Sequence, residues 1–383
     1  MIKNTDELIK NGNRCAIPWL HSQLNLQNNS VSPCCKYKDL IRPVESFIKI
    51  WKGSEFKKLR QDILDNVHHE KCSSCNVPDD VFSYRDLKNK IFIKSNISTE
   101  LDSGSLPKLF NISLKNTCNL SCRMCSPNSS SKLAELSKKS SYLNNFYRFD
   151  EVNNKFNINS LRGIFKETES ITITGGEPLI DSDCFDLINL IKEETTSLKL
   201  IVFSTNFTKP NKNIINALKD LNCKIQLNIS IDGSPSINDY IRHGCNFNDI
   251  VENIQANKNF SYGVNSTVSL LNVGYIPELL DTLNDVMIAT GISFTHIMSS
   301  PVYGQLQVRN LPMAVKQKYL DKLKNLKNNS TIEGSQRLIN TGLDLLDSQS
   351  NSVDWENSKE FLKEFDAVTK TSYKLLYPEF CID

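Results

Sequence analysis

From residue 109 to residue 300, short apolar runs alternate with longer stretches of helical periodicity, and this alternation restricts the architecture more than any other feature of the chain. Strands are expected at 109–115, 170–174, 198–204, 224–231, 262–270 and 292–299. Helices are expected between them at 130–139, 182–194, 212–221, 248–259 and 276–290. Strands joined by a long crossover pair in parallel, because only antiparallel neighbours can be joined by a tight turn. The expected class is α/β, with a partial (β/α)6 barrel of the TIM type. A closed eight-unit barrel needs two more strands, and the tail after Pro312 reads instead as helices, to about 327, then 336–346 and 356–369. Residues 1–90 read poorly as regular structure: Pro18, Pro33, Pro43 and Pro78 interrupt short apolar pieces, and one helix is expected near 54–67 from Phe56, Leu59, Ile63 and Leu64. The expected division is 1–93, a polar linker at 94–108, the barrel at 109–300 and a helical extension at 301–383.

Composition narrows the function classes. Lys plus Arg number 45 and Asp plus Glu 43, for a net charge of +2, so no global charge argues for nucleic acid or an anionic membrane. No apolar run approaches the roughly 18 residues of a membrane span. The start lacks the apolar core of a secretory signal, so a cytoplasmic location is expected. The unusual count is 12 Cys. In a reducing compartment, clustered cysteines favour metal binding or catalysis over disulfides.

Residues 109–127, LFNISLKNTCNLSCRMCSP, run from a strand into a loop with Cys118, Cys122 and Cys125, a CX3CX2C spacing. Three thiolates on one loop can hold three corners of a cubane cluster and leave one iron open. A structural zinc site takes four ligands, and this loop supplies three. The next strand ends in ITITGGEP, where Gly175 and Gly176 allow close backbone approach to a small ligand. Both motifs then face one mouth at the C-terminal ends of the strands, where α/β architectures bind ligands.

On these residues the chain resembles the radical S-adenosylmethionine (SAM) superfamily over roughly residues 109–300. The resemblance implies that Cys118, Cys122 and Cys125 hold three irons of a [4Fe–4S] cluster and that SAM chelates the fourth. It implies SAM contacts from Gly175, Gly176, Glu177 and Pro178, with the methionyl ammonium at GGEP, where the Glu177 carboxylate is expected to hold it. Ser204, Thr205 and Asn206 would be SAM-facing. Ser230 and Asp232 would contact the ribose, Arg242 the carboxylate, and Thr267 and Val268 the adenine side. Met124 stands where the family usually has an aromatic residue, and a thioether can still lie on adenine. The implied chemistry is reductive cleavage of SAM to a 5′-deoxyadenosyl radical that takes hydrogen from a substrate. The electron would come from a low-potential donor of flavodoxin or ferredoxin type.

The first fifth carries Cys15, adjacent Cys34 and Cys35, and Cys72 and Cys75 in CX2C spacing. Four ligands from three loops can close a second site. Adjacent cysteines rarely serve one site together, and Cys34 is the expected ligand. Zinc with the same four thiolates remains open. The string C…PW…PCC…W…LR…CXXC also resembles the SPASM/twitch auxiliary-cluster domain, here placed before the barrel. That resemblance implies an auxiliary [4Fe–4S] cluster serving electron transfer, and a peptide or protein side chain as substrate, with small molecules as alternatives. The rival reading is a non-catalytic module, zinc-stabilised or cluster-carrying, which leaves CX3CX2C and GGEP unexplained. His21, His68 and His69 are expected in surface or packing roles, and His296 could face either the mouth or the helix layer. Trp19, Trp51 and Trp355 read as packing residues. Cys184 and Cys223 read as plain thiols, and Cys245 as a candidate thiol near the mouth.

Overall fold

The computed structural model describes residues 2–10, 14–41, 43–75, 84–101, 104–147, 156–302, 304–326, 330–348 and 352–381. Pro78 lies outside them. Eight strands form one sheet: β1 (His21–Asn25), β2 (Ser30–Ser32), β3 (Leu109–Ser113), β4 (Ser170–Thr174), β5 (Leu200–Thr205), β6 (Lys224–Ser230), β7 (Ser261–Val268) and β8 (Phe294–Pro301). Their order is β2-β1-β3-β4-β5-β6-β7-β8. All neighbours run parallel except β1 and β2.

All six strands expected between 109 and 300 are present. The two at the edge come from the segment that read poorly as regular structure. The 94–108 boundary therefore does not separate an N-terminal unit from the sheet, because β1 lies in register with β3, His21 opposite Leu109. The sequence hid β1 for a physical reason. HSQLN has one apolar residue, Leu24, so it carries almost no hydrophobic alternation. The expected linker is also docked: Ile97 is buried, and Trp51 Nε1 donates to the Ser105 carbonyl at 2.8 Å.

The two faces of the sheet differ sharply. Ile112, Ile173, Phe203 and Leu227, side by side on adjacent strands, are each 0 % exposed beneath the helices. Their neighbours on the opposite face are Ser113, Thr174, Ser204 and Asn228. Period-2 alternation puts these polar side chains on the inner surface. Asparagine and aspartate set the helix starts on the outer layer. Asp181 accepts from the Asp183 N–H at 2.9 Å to begin Ser182–Glu194, and Asn211 and Asn246 cap Lys212–Lys219 and Phe247–Ala256 in the same way. Gly291, at φ 69°, ends Ile276–Thr290 in the left-handed region that favours glycine. Helices Met313–Lys324, Ser335–Leu346, Ser352–Thr369 and Tyr373–Leu376 follow the sheet. No helix among the described residues is long and apolar enough to cross a membrane.

Candidate active site

A cavity of about 580 Å³ opens at the C-terminal ends of the strands. It is lined by Cys118, Cys122 and Cys125 after β3, and also by Ser299 and Ser300 on β8. A flat sheet at ~4.8 Å per strand would hold β3 and β8 about 24 Å apart. The sheet therefore curls into an open partial barrel with this cavity inside its rim.

The cysteine loop is held from both sides. The Ser121 and Arg123 N–H groups donate to the His243 and Ile241 carbonyls at 2.9 Å each. The Cys118 N–H donates to Ser131 Oγ at 3.1 Å, and Asn116 Nδ2 donates to the Pro127 carbonyl at 2.8 Å. Arg123, 1 % exposed, points away from the cavity. Its guanidinium donates to Asp366 Oδ1 and Thr371 Oγ1 at 2.6 Å each and to the Tyr240 carbonyl, and lies over the Tyr240 ring at 3.6 Å. Sequence reasoning missed this clamp, because its partners lie more than 100 residues away.

Burial pushes the Cys118 thiol up to about 11, and raises Cys122 and Cys125 as well. Arg242, with Nη1 3.9 Å from Cys122 Sγ, opposes the shift at Cys122. Buried thiols with so little positive charge nearby need a metal centre to be held as thiolates. Among the described residues no group of three His, Cys, Asp or Glu side chains is arranged to hold one metal ion.

GGEP lies beside them, and its two glycines and its glutamate pack against the neighbouring loop and strand ends. Gly175 has φ 137°, and its Cβ would meet the Leu114 amide at 3.0 Å; a Cβ on Gly176 would collide with the Thr117 carbonyl. The close approach that glycine permits here is to the start of the cysteine loop. The Glu177 carboxylate is 2 % exposed and has three donors. Oε1 accepts from the Leu179 N–H at 3.0 Å and Thr205 Oγ1 at 2.6 Å, and Oε2 from the Asn206 N–H at 2.5 Å. It ties the end of β4 to the end of β5 from the wall of the cavity. Burial nevertheless raises its pKa.

Gly175, Gly176, Glu177, Ser204, Asn206, Ser230, Arg242, Thr267 and Met124 all line the cavity. Pro178, Asp232 and Val268 do not. Pro178 and Val268 lie in the core, where their apolar side chains are buried. Asp232, 0 % exposed, touches Arg242 Nε at 2.8 Å without the alignment of a hydrogen bond and accepts from the Thr267 N–H at 2.7 Å. It orients Arg242 and joins β6 to β7. The lining also includes Thr174, Asn265, Ser266 and Met298, which sequence reasoning missed. Asn265 lies opposite Ser230 in register, and a strand alignment would have flagged it. Its Oδ1 is buried without a partner, while its Nδ2 donates to Ser204 Oγ at 3.1 Å, so the wall offers a free acceptor to a polar ligand.

A second cavity of about 240 Å³ brings Cys15, Cys34, Cys72 and Cys75 together, with Arg14, His68, His69 and Arg85 around them. Cys35 is exposed and lines neither cavity. Burial pushes Cys34 up to about 12 and Cys72 to about 11, and raises Cys15. His69 is buried against the Tyr37 ring, and Cys184, Cys223, Cys245 and His296 line neither cavity. Trp19, Trp51 and Trp355 are buried.

Residues 112–287, just under half of the chain, match the family model of the Radical SAM superfamily. SAM and a [4Fe–4S] cluster are the cofactors this match assigns to them. No curated protein matches the sequence. Among solved structures the chain is similar to anSMEcpe with bound AdoMet, at 16 % identity and a TM-score of 0.38, covering 57 % of this chain and 58 % of that one. It is also similar to Streptococcus suis SuiB bound to precursor peptide SuiA, at 16 % identity and a TM-score of 0.35, covering 75 % of this chain and 64 % of that one. The chain thus spans less than two thirds of the length of either structure.

Proposed function

We propose that the chain is a radical SAM enzyme acting on a peptide or protein side chain. The observation that carries this is the convergence, in one cavity, of Cys118, Cys122 and Cys125 with the GGEP turn and the polar ends of β5 to β8. Bound together, a [4Fe–4S] cluster and SAM supply one-electron cleavage of SAM and a 5′-deoxyadenosyl radical that takes hydrogen from substrate. The chain's own residues do the positioning. The three thiolates hold three irons and leave the fourth for SAM. Arg242, braced by Asp232, presents positive charge to a carboxylate. Ser204, Ser230 and Asn265 offer hydrogen bonds to ribose and adenine, and Met124 offers a soft apolar surface.

In the same proposal Cys15, Cys34, Cys72 and Cys75 hold an auxiliary [4Fe–4S] cluster that passes electrons, and a flavodoxin- or ferredoxin-type donor in the cytoplasm supplies them. The test is anaerobic reconstitution with iron and sulfide, then SAM and dithionite, with assay for 5′-deoxyadenosine. Formation of 5′-deoxyadenosine supports the reading. Its absence from a preparation with full iron content sinks it, and tightly bound zinc in place of iron points to the non-catalytic module.

A further inference from the structure

Cys15, Cys34 and the Cys72–Cys75 pair reach the N-terminal site on three separate stretches of chain, and two buried side chains from other elements grip the first two. Asn89, 2 % exposed on the helix Tyr84–Lys94, brackets Cys15. Its Nδ2 donates to the Arg14 carbonyl at 2.8 Å, and its Oδ1 accepts from the Ala16 N–H at 3.3 Å. One carboxamide therefore fixes both peptide units that meet at Cys15. His21, 1 % exposed at the start of β1, holds the entry to Cys34. β1 and β2 pair as far as Gln23 and Ser32. The next residue is Pro33, which has no N–H to continue a ladder. Side chains take over there: Ser22 Oγ donates to the Ser32 carbonyl at 3.2 Å, and His21 Nδ1 donates to the Pro33 carbonyl at 2.8 Å. The Pro33–Cys34 peptide is planar, so holding its carbonyl sets the direction in which the chain enters Cys34. The third stretch is tied to the second by the Lys38 N–H, which donates to the Lys71 carbonyl at 3.1 Å, next to Cys72.

A buried carboxamide needs both its donor and its acceptor met, and a buried imidazole N–H needs an acceptor. Here those partners are backbone groups adjoining thiols. Neither Asn89 nor His21 lines the thiol cavity, so both act on the backbone and not on what the thiols bind. Four thiols that converge must be ordered, and as thiolates they repel one another. Chain held in place beforehand removes part of that cost. Neighbours that orient metal ligands are commonly worth about ten- to a hundredfold in metal affinity.

We propose that Asn89 and His21 are positioning residues that preform the N-terminal thiol centre, Asn89 through Cys15 and His21 through Cys34. The proposal rests on the reading of these thiols as ligands of an auxiliary cluster. The test adds the ferrous chelator ferrozine to reduced, reconstituted full-length protein and follows two electron paramagnetic resonance signals. The signal that SAM leaves unaltered reports the N-terminal centre; the SAM-responsive signal reports the mouth and the fold. His21→Leu and Asn89→Leu are each expected to lose the SAM-insensitive signal at least about tenfold faster than wild type, and the SAM-responsive signal at the wild-type rate. His21→Asn places an amide N–H where Nδ1 stood and is expected to stay within about threefold of wild type. Wild-type rates in both leucine variants, or a His21→Asn protein as labile as His21→Leu, overturns the proposal. If the leucine variants do not fold, His21→Gln, whose amide stands one bond farther out, is compared with His21→Asn. A His21→Gln centre at least about tenfold more labile supports the proposal, and equal rates overturn it. If wild type holds zinc at these thiols, the auxiliary-cluster reading falls, and zinc release to a chelator decides the positioning by the same criteria. A wild type that holds neither metal there overturns both.

Discussion

Glu177 shows what a motif conveys about one residue and what it leaves out. GGEP was legible as an element at the cofactor mouth, but the use of its carboxylate depends on Thr205 and Asn206, which no local pattern ties to it. In Glu177→Gln the volume is kept, but one oxygen becomes an NH2 group facing a donor. A stability loss of about 1–3 kcal/mol is expected in urea unfolding, with SAM affinity of the folded protein changed less than about threefold. A tenfold loss of SAM affinity at unchanged stability would return the carboxylate to the ammonium. His21 makes a pH prediction. Burial, followed by the charge of Lys88, lowers its pKa to about 4. Nδ1 lies 2.8 Å from the Pro33 carbonyl and so carries the proton, while Nε2 is buried without a partner. Protonation would bury an unpaired charge. The unfolded ring, near pH 6.5, takes the proton first, so its contribution is intact above that pH and is lost as pH falls toward 4. Wild type should lose on the order of 2–3 kcal/mol more than His21→Gln between pH 7 and pH 4. Equal pH slopes in the two proteins would show that the ring does not titrate this way.

Apolar alternation made the six strands from β3 to β8 legible, because each buries one face under helices. The same logic concealed β1 and β2. β1 has one apolar residue and β2 is three residues long, so both carry little hydrophobic signal, and the pairing of β1 with β3 spans more than 80 residues of chain. The helix Ser352–Thr369 was legible by periodicity, but its task was not. Asp366 on that helix pairs with Arg123, inside the cysteine motif, across |i−j| of 243. Removing one partner of a buried pair leaves an uncompensated charge, at a cost of about 3–5 kcal/mol. Asp366→Ala should therefore lose stability of that order in denaturant unfolding. Because Arg123 lies between two of the cluster cysteines, the variant should also retain less iron at the Cys118, Cys122 and Cys125 site. Full iron retention alongside the stability loss would reduce the helix to packing alone.

The whole molecule places its two thiol sets at opposite ends of the sheet. Cys118, Cys122 and Cys125 follow β3, at the C-terminal end. Cys15 and Cys34 flank the other end: the His21 ring at the start of β1 meets the Pro33 carbonyl, and Leu109, the first residue of β3, packs on the cluster that holds Cys15, Cys34 and Cys72. A five-residue strand at ~3.3 Å per residue separates the two levels by about 17 Å. The N-terminal site brings four thiols together away from the mouth; in the proposed function a group bound there would serve electron transfer and would not ligate substrate. Reconstituted protein is expected to hold about eight irons per chain. In the reduced protein, SAM should change the electron paramagnetic resonance signal of one cluster and leave the other unaltered. Cys72→Ala with Cys75→Ala should keep about four irons and the whole SAM response, yield 5′-deoxyadenosine slowly, and make no product. Replacing Cys118, Cys122 and Cys125 by Ala should keep the other four irons and abolish both the SAM response and cleavage. A SAM response at both clusters, or normal product from the Cys72 and Cys75 variant, would contradict this division of labour.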